Sequence, residues 1–350
     1  MSSSTQLFGR YLSVIVAPAA GGEGIELVAP TLNALHIEFD VRHIVISTPH
    51  TARIKIWNVS TQTAQFIANI AGAQGSTGST GFGQWQGQVI IKAGYTGNYG
   101  TIFTGSIRQV RSGREQNVVD TFVEILAADS DTARNWGLVN VSLAAGHSQA
   151  DIQDIVAQQM SKFGTVNGTK VTWTDDTKAC PVKPPDSAAR GRALYGPAKA
   201  ILNDLADSHN NTWSLDNNTL NFLPRTAYKP GDAVVLTPST GLIGLPRLTA
   251  DGINVRCLLN PAIGPGAQIQ LDTSYIQQPP IGLEVTNLNI LPPTNDMWAS
   301  GRKGYYKVLW VDHIGDNRGT NWYSDMICLS IDKSAQLPNS VKDVASGIPP

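Results

Sequence analysis

Strand-like alternation fills the first and last thirds of the 350-residue sequence, and a middle third of different periodicity holds them apart. Residues 10–18 (RYLSVIVAP), 34–47 (ALHIEFDVRHIVIS), 52–59 (ARIKIWNV) and 88–93 (QVIIKA) combine β-branched side chains with a period of two. Within 52–59, Ile54, Ile56 and Asn58 share one face while Lys55 and Trp57 share the other, the pattern of a half-buried antiparallel strand. Strands resume over 100–111 and 117–127. In the last third they fall at 233–237, 253–259, 268–271, 304–314 and 322–331, broken by Gly and Pro. From Ala335 onward Pro and Ser predominate, which predicts an extended tail.

Helical signals are few. Ser60 is placed to cap a short helix over 61–70, with Phe66, Ile67 and Ile70 on one side. After it, the segment 72–87 (GAQGSTGSTGFGQWQG) carries so much glycine that it should stay a long loop unless a partner orders it. In the middle third, Ser148 and Asp151 form a capping pair. Ile152, Ile155, Val156, Met160 and Phe163 then recur on one helical face up to Gly164. A second helix is expected from near Pro197 to near Asn210, burying Ile201, Leu202 and Leu205. Residues 212–224 (TWSLDNNTLNFLP) read as a hairpin turning at Asp216–Asn218, so this region is a small mixed α/β unit.

The two β-rich thirds echo each other. A gap-free register sets Ile107 on Val311, Val110 on Ile314, Arg114 on Arg318 and Asn117 on Asn321, and continues with Val123 on Ile327 and Ile125 on Leu329. Both stretches are strand, polar turn, strand, which implies two similar β-barrel-like modules flanking an α/β insert.

Composition narrows the function. Charged residues make up 15% of the chain, against roughly 25% for an average soluble domain. A surface poor in Lys and Glu resembles buried protein–protein contacts more than the exterior of a freely diffusing monomer. The net charge of -1 offers no excess of cation for phosphates, which argues against a DNA-binding role. The Ser-rich start from Met1 to Gly9 lacks a basic region, and no apolar run approaches the ~20 residues needed to span a bilayer. Neither a secretory signal nor a membrane anchor is expected. Cys180, Cys257 and Cys328, odd in number and far apart, read as small core residues of a chain folded in a reducing cytoplasm.

No catalytic set assembles from the polar residues. His36, His43 and His50 recur every seven residues, but His36 and His43 point to opposite faces of a strand, and no nearby carboxylate or Cys completes a tetrahedral site. They read as structural. Asp312, His313 and Asp316 read as turn chemistry, and Asp129 with Asp131 and Asp175 with Asp176 as solvated charge in polar connections. Ser300 and Lys303 match S-x-x-K without a helix or companion motifs, and Gly94, Gly97 and Gly100 read as a tight connection between strands. The expectation is no enzyme, no cofactor and no metal.

Several segments resemble one family. RIKIWNVS (53–60), VIIKAGY (89–95) and IFTGSI (102–107) are similar to the first barrel of phage baseplate hub proteins of the T4, Mu and late-control-protein-D type. TGLIGLPRLTADGINVRCLLNP (240–261) with PGAQIQLD (265–272) resembles the start of the second barrel in Mu-like hubs, and YYKVLWVDHIGDNRGTNWYSDMICL (305–329) its closing hairpin. The helix and hairpin 197–224, with Trp213 and Ser214, are similar to the inserted domain. The resemblance spans 7–334, nearly the whole chain.

It implies a mainly β fold with an α+β insert. The parts would be a β-barrel-like hub (tube) domain over 1–130, an α/β insert over 131–231, a second barrel-like domain over 232–334 and a tail over 335–350. It further implies a homotrimer whose six barrels make a pseudo-sixfold ring, adapting a hexameric tail tube to a trimeric spike. Other baseplate proteins and a tape-measure protein would be partners, and DNA would only pass through the lumen. With the chain stopping at Pro350, the spike is expected on a separate polypeptide. Such a subunit would be made in the host bacterial cytoplasm and reside in the virion tail baseplate. The loop at Gly75, Gly78, Gly81, Phe82 and Gly83 is the expected partner contact. The alternatives are a tail-associated cell-wall hydrolase and a carbohydrate-binding appendage protein. The second would cluster its tryptophans on the surface, whereas Trp57, Trp136, Trp173, Trp213 and Trp298 are dispersed.

Overall fold

The computed structural model describes residues 7–18, 23–29, 35–45, 47–72, 87–116, 119–162, 188–208, 211–217, 219–225, 227–229, 231–249, 252–272 and 303–330. The chain is mainly β with a small helical insert. Its first part comprises β1 (Arg10–Pro18), β2 (Ile25–Ala29), β3 (Ile37–Ile44), β4 (Thr51–Trp57), α1 (Thr61–Gly72), β5 (Gly87–Tyr95), β6 (Asn98–Arg114) and β7 (Thr121–Ala128). These strands pair antiparallel in the order β3-β4-β7-β6-β5-β1-β2. Alternation dictates their inner face: Val14, Phe39, Ile54, Ile56, Ile91, Phe103 and Ile125 are all buried in one core. Ile67 of α1 packs into the same core. Ser60 caps that helix, its Oγ accepting from the Thr63 N–H at 3.1 Å. Asn58 does not continue the inner face of β4. It adopts φ 55 and leaves the strand, its N–H donating to the Thr121 carbonyl at 2.8 Å.

The middle part contains α2 (Asp131–Trp136), β8 (Leu138–Leu143), α3 (Gln149–Ser161), β9 (Arg192–Pro197), α4 (Ala198–Ser208), β10 (Asn211–Asp216) and β11 (Thr219–Pro224). The expected capping box forms at α3, Ser148 and Asp151 satisfying each other's backbone N–H groups. Ile152, Val156 and Met160 of α3 pack with Leu202 and Leu205 of α4 and with Trp213 and Phe222 of the β10–β11 hairpin. Pro197 closes β9 instead of opening the helix, which begins one residue later.

The last part comprises β12 (Val234–Leu236), β13 (Leu242–Thr249), β14 (Gly252–Leu258), β15 (Gln268–Asp272), β16 (Lys303–Asp316) and β17 (Trp322–Ser330). Its order is β13-β14-β17-β16, with β15 on β16 and β12 parallel to β15, over a core of Val255, Ile269, Tyr306, Val308 and Val311.

Five strands of each β-rich part therefore follow one scheme, β3-β4-β7-β6-β5 in the first and β13-β14-β17-β16-β15 in the second. The long hairpins match residue for residue. β6 bulges between Ile107 and Gln109, β16 between Val308 and Trp310, and the turns close through Glu115 N–H to Asp120 O and Asp316 N–H to Asn321 O. The same displacement sets β4 on β14, since Ile54 pairs with Ile125 on β7 and Val255 pairs with Met326 on β17. The duplication is present, but the sequence register was three positions out: Ile107 corresponds to Val308, not Val311. The identities of Arg114 with Arg318 and Asn117 with Asn321 favour the displaced register, but those residues lie in and beside the turns, whereas strand pairing and the equivalent bulges fix the true one.

The two modules do not stand apart as separate barrels. β3 pairs with β16, joining both into one 13-stranded sheet, and no closed barrel exists among the described residues.

Candidate functional site

The seam between the modules runs from Trp310 opposite Ile44 to Asp316 opposite Glu38. Arg42 Nε donates to Asp312 Oδ1 at 3.2 Å, and His36 Nε2 lies 2.9 Å from Asp316 Oδ1. The Asn317 side chain donates to the Leu35 carbonyl at 2.7 Å and accepts from the Ile37 N–H at 2.9 Å. Trp322 at the start of β17 sits in the first core, edge-on to Phe39 at 5.6 Å. Of the three residues read as turn chemistry, only Asp316 does that work, accepting from the Arg318 and Gly319 N–H groups at 2.8 and 2.7 Å. Asp312 and His313 lie within β16, and His313 is buried, 2.7 Å from Ser324 Oγ.

Two strand edges correspond by the duplication to the two that meet in this seam. β13, the counterpart of β3, ends the sheet among the described residues. On β6, residues 109–114 are the counterparts of 310–315 on β16, and among the described residues they pair with β7 alone. An open edge is a template for another strand. β13 blunts its later half with Pro246, Arg247 and a register break, but its earlier half exposes Ile243 and Leu245, with Gly244 at φ 69 between them. β13 is not foreshadowed by alternation, because Gly241, Gly244 and Pro246 interrupt it.

Behind the seam lies a buried polar cluster. His43 on β3 and His50 ahead of β4 face each other with Nδ1 atoms 3.0 Å apart. His43 Nε2 is held by the Ile102 carbonyl at 2.8 Å and His50 Nε2 by the Ile44 carbonyl at 3.0 Å. Asp216, at the tip of the β10–β11 hairpin, brings Oδ1 within 3.9 Å of His43 Nδ1 and 3.8 Å of His50 Nδ1. Asp129 Oδ2 is 3.8 Å from His50 Nδ1. A cavity of about 300 Å³ adjoins the cluster, lined by His43, Ile102, Asp216, Asn217, Lys229 and His313 among others.

Burial, helped by the neighbouring His50, pushes the His43 imidazole down to about 3, and burial holds His50 below its ordinary value and His313 at about 4. Burial alone would raise the Asp216 carboxyl. The Lys229 ammonium, at 2.8 Å, and the two imidazoles outweigh it and bring it down to about 2. Lys307 is pushed down to about 7 by burial and by Lys229, and donates to the Pro224 and Arg225 carbonyls at 3.0 and 3.3 Å.

His36 and His43 take opposite faces as expected, His36 stacking outside on Trp57 at 4.1 Å. No local signal pointed to the carboxylates around His43 and His50, since Asp216 comes from a hairpin in another part of the chain. Asp129 is not solvated charge. It is 1% exposed, with Ser130 Oγ donating to its Oδ1 at 2.8 Å. Gly94 and Gly97 belong to the tight β5–β6 connection, where Tyr95 pairs with Asn98 and Gly97 takes φ 86. Cys257 and Cys328 are buried, and burial raises the Cys257 thiol to about 12. Gly75, Gly78, Gly81, Phe82 and Gly83 lie outside the described residues, as do Phe163, Asp175, Asp176, Cys180 and Ser300. No helix of the described residues is long and apolar enough to cross a membrane.

No family model and no curated protein matches the sequence. Among solved structures, the tail protein from Neisseria meningitidis MC58 superposes with a TM-score of 0.50 at 9% identity, over 93% of this chain and 97% of that one. The 43 kDa tail protein of prophage MuSo2 from Shewanella oneidensis gives 0.49 at 9% identity, over 91% and 97%. The first likeness is one of fold. It extends across both β modules and the insert between them.

Proposed function

We propose that this chain is a structural, non-enzymatic subunit of a phage tail baseplate, a hub that closes as a trimer into a ring of six β modules between a hexameric tail tube and a trimeric spike. The carrying observation is the pair of unmatched edges. Within the chain the leading edge of one module (β3) continues onto the long strand of the other (β16), while the corresponding edge (β13) and the corresponding segment of β6 are left over. Repeating the seam between chains satisfies both, and three copies of a two-module chain supply six modules. A cyclic arrangement also removes every open edge of this kind. The similarity in fold to a tail protein supports the same reading.

In this account the units are 1–130, 131–231 and 232–334 with a tail over 335–350. The glycine-rich loop at Gly75–Gly83 orders against a neighbouring protein, other baseplate proteins and a tape-measure protein adjoin the ring, and DNA crosses only its lumen. The particle position is the virion tail baseplate, after synthesis in the host bacterial cytoplasm. Light scattering on the purified full chain, alone and with its spike, should report three copies. A monomer at micromolar concentration in both samples would refute the ring.

A further inference from the structure

The facing histidines pose a problem that two neutral rings cannot solve. A carbonyl oxygen only accepts, so the bonds to the Ile102 and Ile44 carbonyls fix a proton on Nε2 of both His43 and His50. Each Nδ1 then presents a lone pair, and the two lone pairs are aimed at each other across 3.0 Å. Something positive belongs between them. We propose that His43 and His50, through Nδ1, and Asp216, through Oδ1, bind one divalent transition-metal ion, with a water from the adjoining cavity as fourth ligand.

The geometry fits zinc. Bonds of ~2.0–2.1 Å in a tetrahedron put ligand atoms ~3.3–3.4 Å apart. The separations among the three atoms, 3.0, 3.8 and 3.9 Å, straddle that edge and need shifts of only a few tenths of an ångström. Imidazole nitrogen with carboxylate oxygen is a donor set suited to zinc and unsuited to calcium or magnesium, which prefer oxygen alone. The surroundings hold each donor in place. Two backbone carbonyls set the imidazole tautomers, Lys229 donates to Asp216 Oδ2 at 2.8 Å, and Asn217 Nδ2 donates to Oδ1 at 3.3 Å, which leaves that oxygen a second lone pair for the ion. The donors come from β3, the approach to β4 and the β10–β11 turn, so the ion would fasten the insert to the back of the seam. The rival occupant is a proton shared by the two Nδ1 atoms and balanced by the carboxylates.

Metal analysis of the full chain purified without chelator should find one zinc per chain. After stripping with chelator, added cobalt(II) chloride should give the visible absorption of a tetrahedral site at one equivalent, and zinc chloride should displace it and raise the melting temperature. Asp216→Asn should abolish the cobalt spectrum. Lys229→Met, which removes the partner of Asp216 Oδ2 and none of the three donors, should keep it with affinity weakened ~10–100-fold. His43→Gln should also abolish the cobalt spectrum, and if that variant fails to fold the other two still decide the matter. A chain that takes up no cobalt at one equivalent, or one in which Asp216→Asn binds as tightly as the parent, overturns the proposal in favour of the shared proton.

Discussion

Glu124 on β7 and Asp325 on β17 hold corresponding places in the two modules, yet their surroundings differ. Glu124 has a side chain only 2% exposed, closed over by Arg53 at 2.6 Å and Arg111 at 2.8 Å, whereas Asp325 is 34% exposed and pairs with Arg256 at 2.6 Å. The same contrast holds at the edges and in the cores. The first module seals its leading strand β3 against β16, receives Trp322 and Leu259 from the second module into its core, and carries α1. The second leaves β13 bare over a smaller core and replaces the antiparallel β1 with the short parallel strand β12. One backbone plan thus gives a module completed by the other's residues and a module whose leading strand, among the described residues, stays at the edge of the sheet.

The largest effect should come from the residue that crosses between them. Trp322→Ala removes a buried ring from the first core and should cost ~3–5 kcal/mol in denaturant titrations. A loss under ~1 kcal/mol would mean the first core does not depend on the second module. Next, Glu124→Ala should cost ~1.5–3 kcal/mol, the range of charge-assisted bonds, and Asp325→Ala ~0.2–1 kcal/mol. Burial opposes the Glu124 carboxylate, but Arg53 and Arg111 outweigh it and hold its pKa below 4.5. Its contribution is therefore full above that value, and the gap between parent and Glu124→Ala should close as pH falls further. Equal costs at the two positions would erase the distinction.

Lys307 sharpens the same contrast, because the first module has Ser106 at that place. With a folded pKa of about 7 against 10.5 for a free lysine, Lys307 carries its charge into the interior below pH 7 and sheds it above. The unfolded chain binds more protons between those values. Stability should therefore rise with pH across that window by up to ~1.4 kcal/mol per unit, and Lys307→Met should flatten the rise. The smallest effect on the isolated chain is expected at the bare edge. Ile243→Lys with Leu245→Lys should change its unfolding free energy by less than ~0.5 kcal/mol per site while preventing association.

Much of this was legible in the residues. Ile54 and Ile56 alternate cleanly and are fully buried, and the Ser148–Asp151 capping box sits where its spacing put it. The lost information has physical causes. β2, β8 and β9 are short, β13 is interrupted by glycine and proline, and chance identities in and beside the turns, Arg114 with Arg318 and Asn117 with Asn321, masked the register of the duplication. The histidine cluster could not be read at all, because Asp129 and Asp216 meet His50 only through tertiary contacts between distant segments.

The seam repeated between chains is open to a direct test. Glu38 opposes Asp316 within the chain, and their counterparts are Ile243 on β13 and Glu115 at the end of β6, both partly exposed. In a background with Cys180 replaced by serine, Glu115→Cys combined with Ile243→Cys should be converted by a short thiol cross-linker into a covalent trimer, while either substitution alone should not. A doubly substituted chain that remains monomeric, or that links only to itself, would contradict the account.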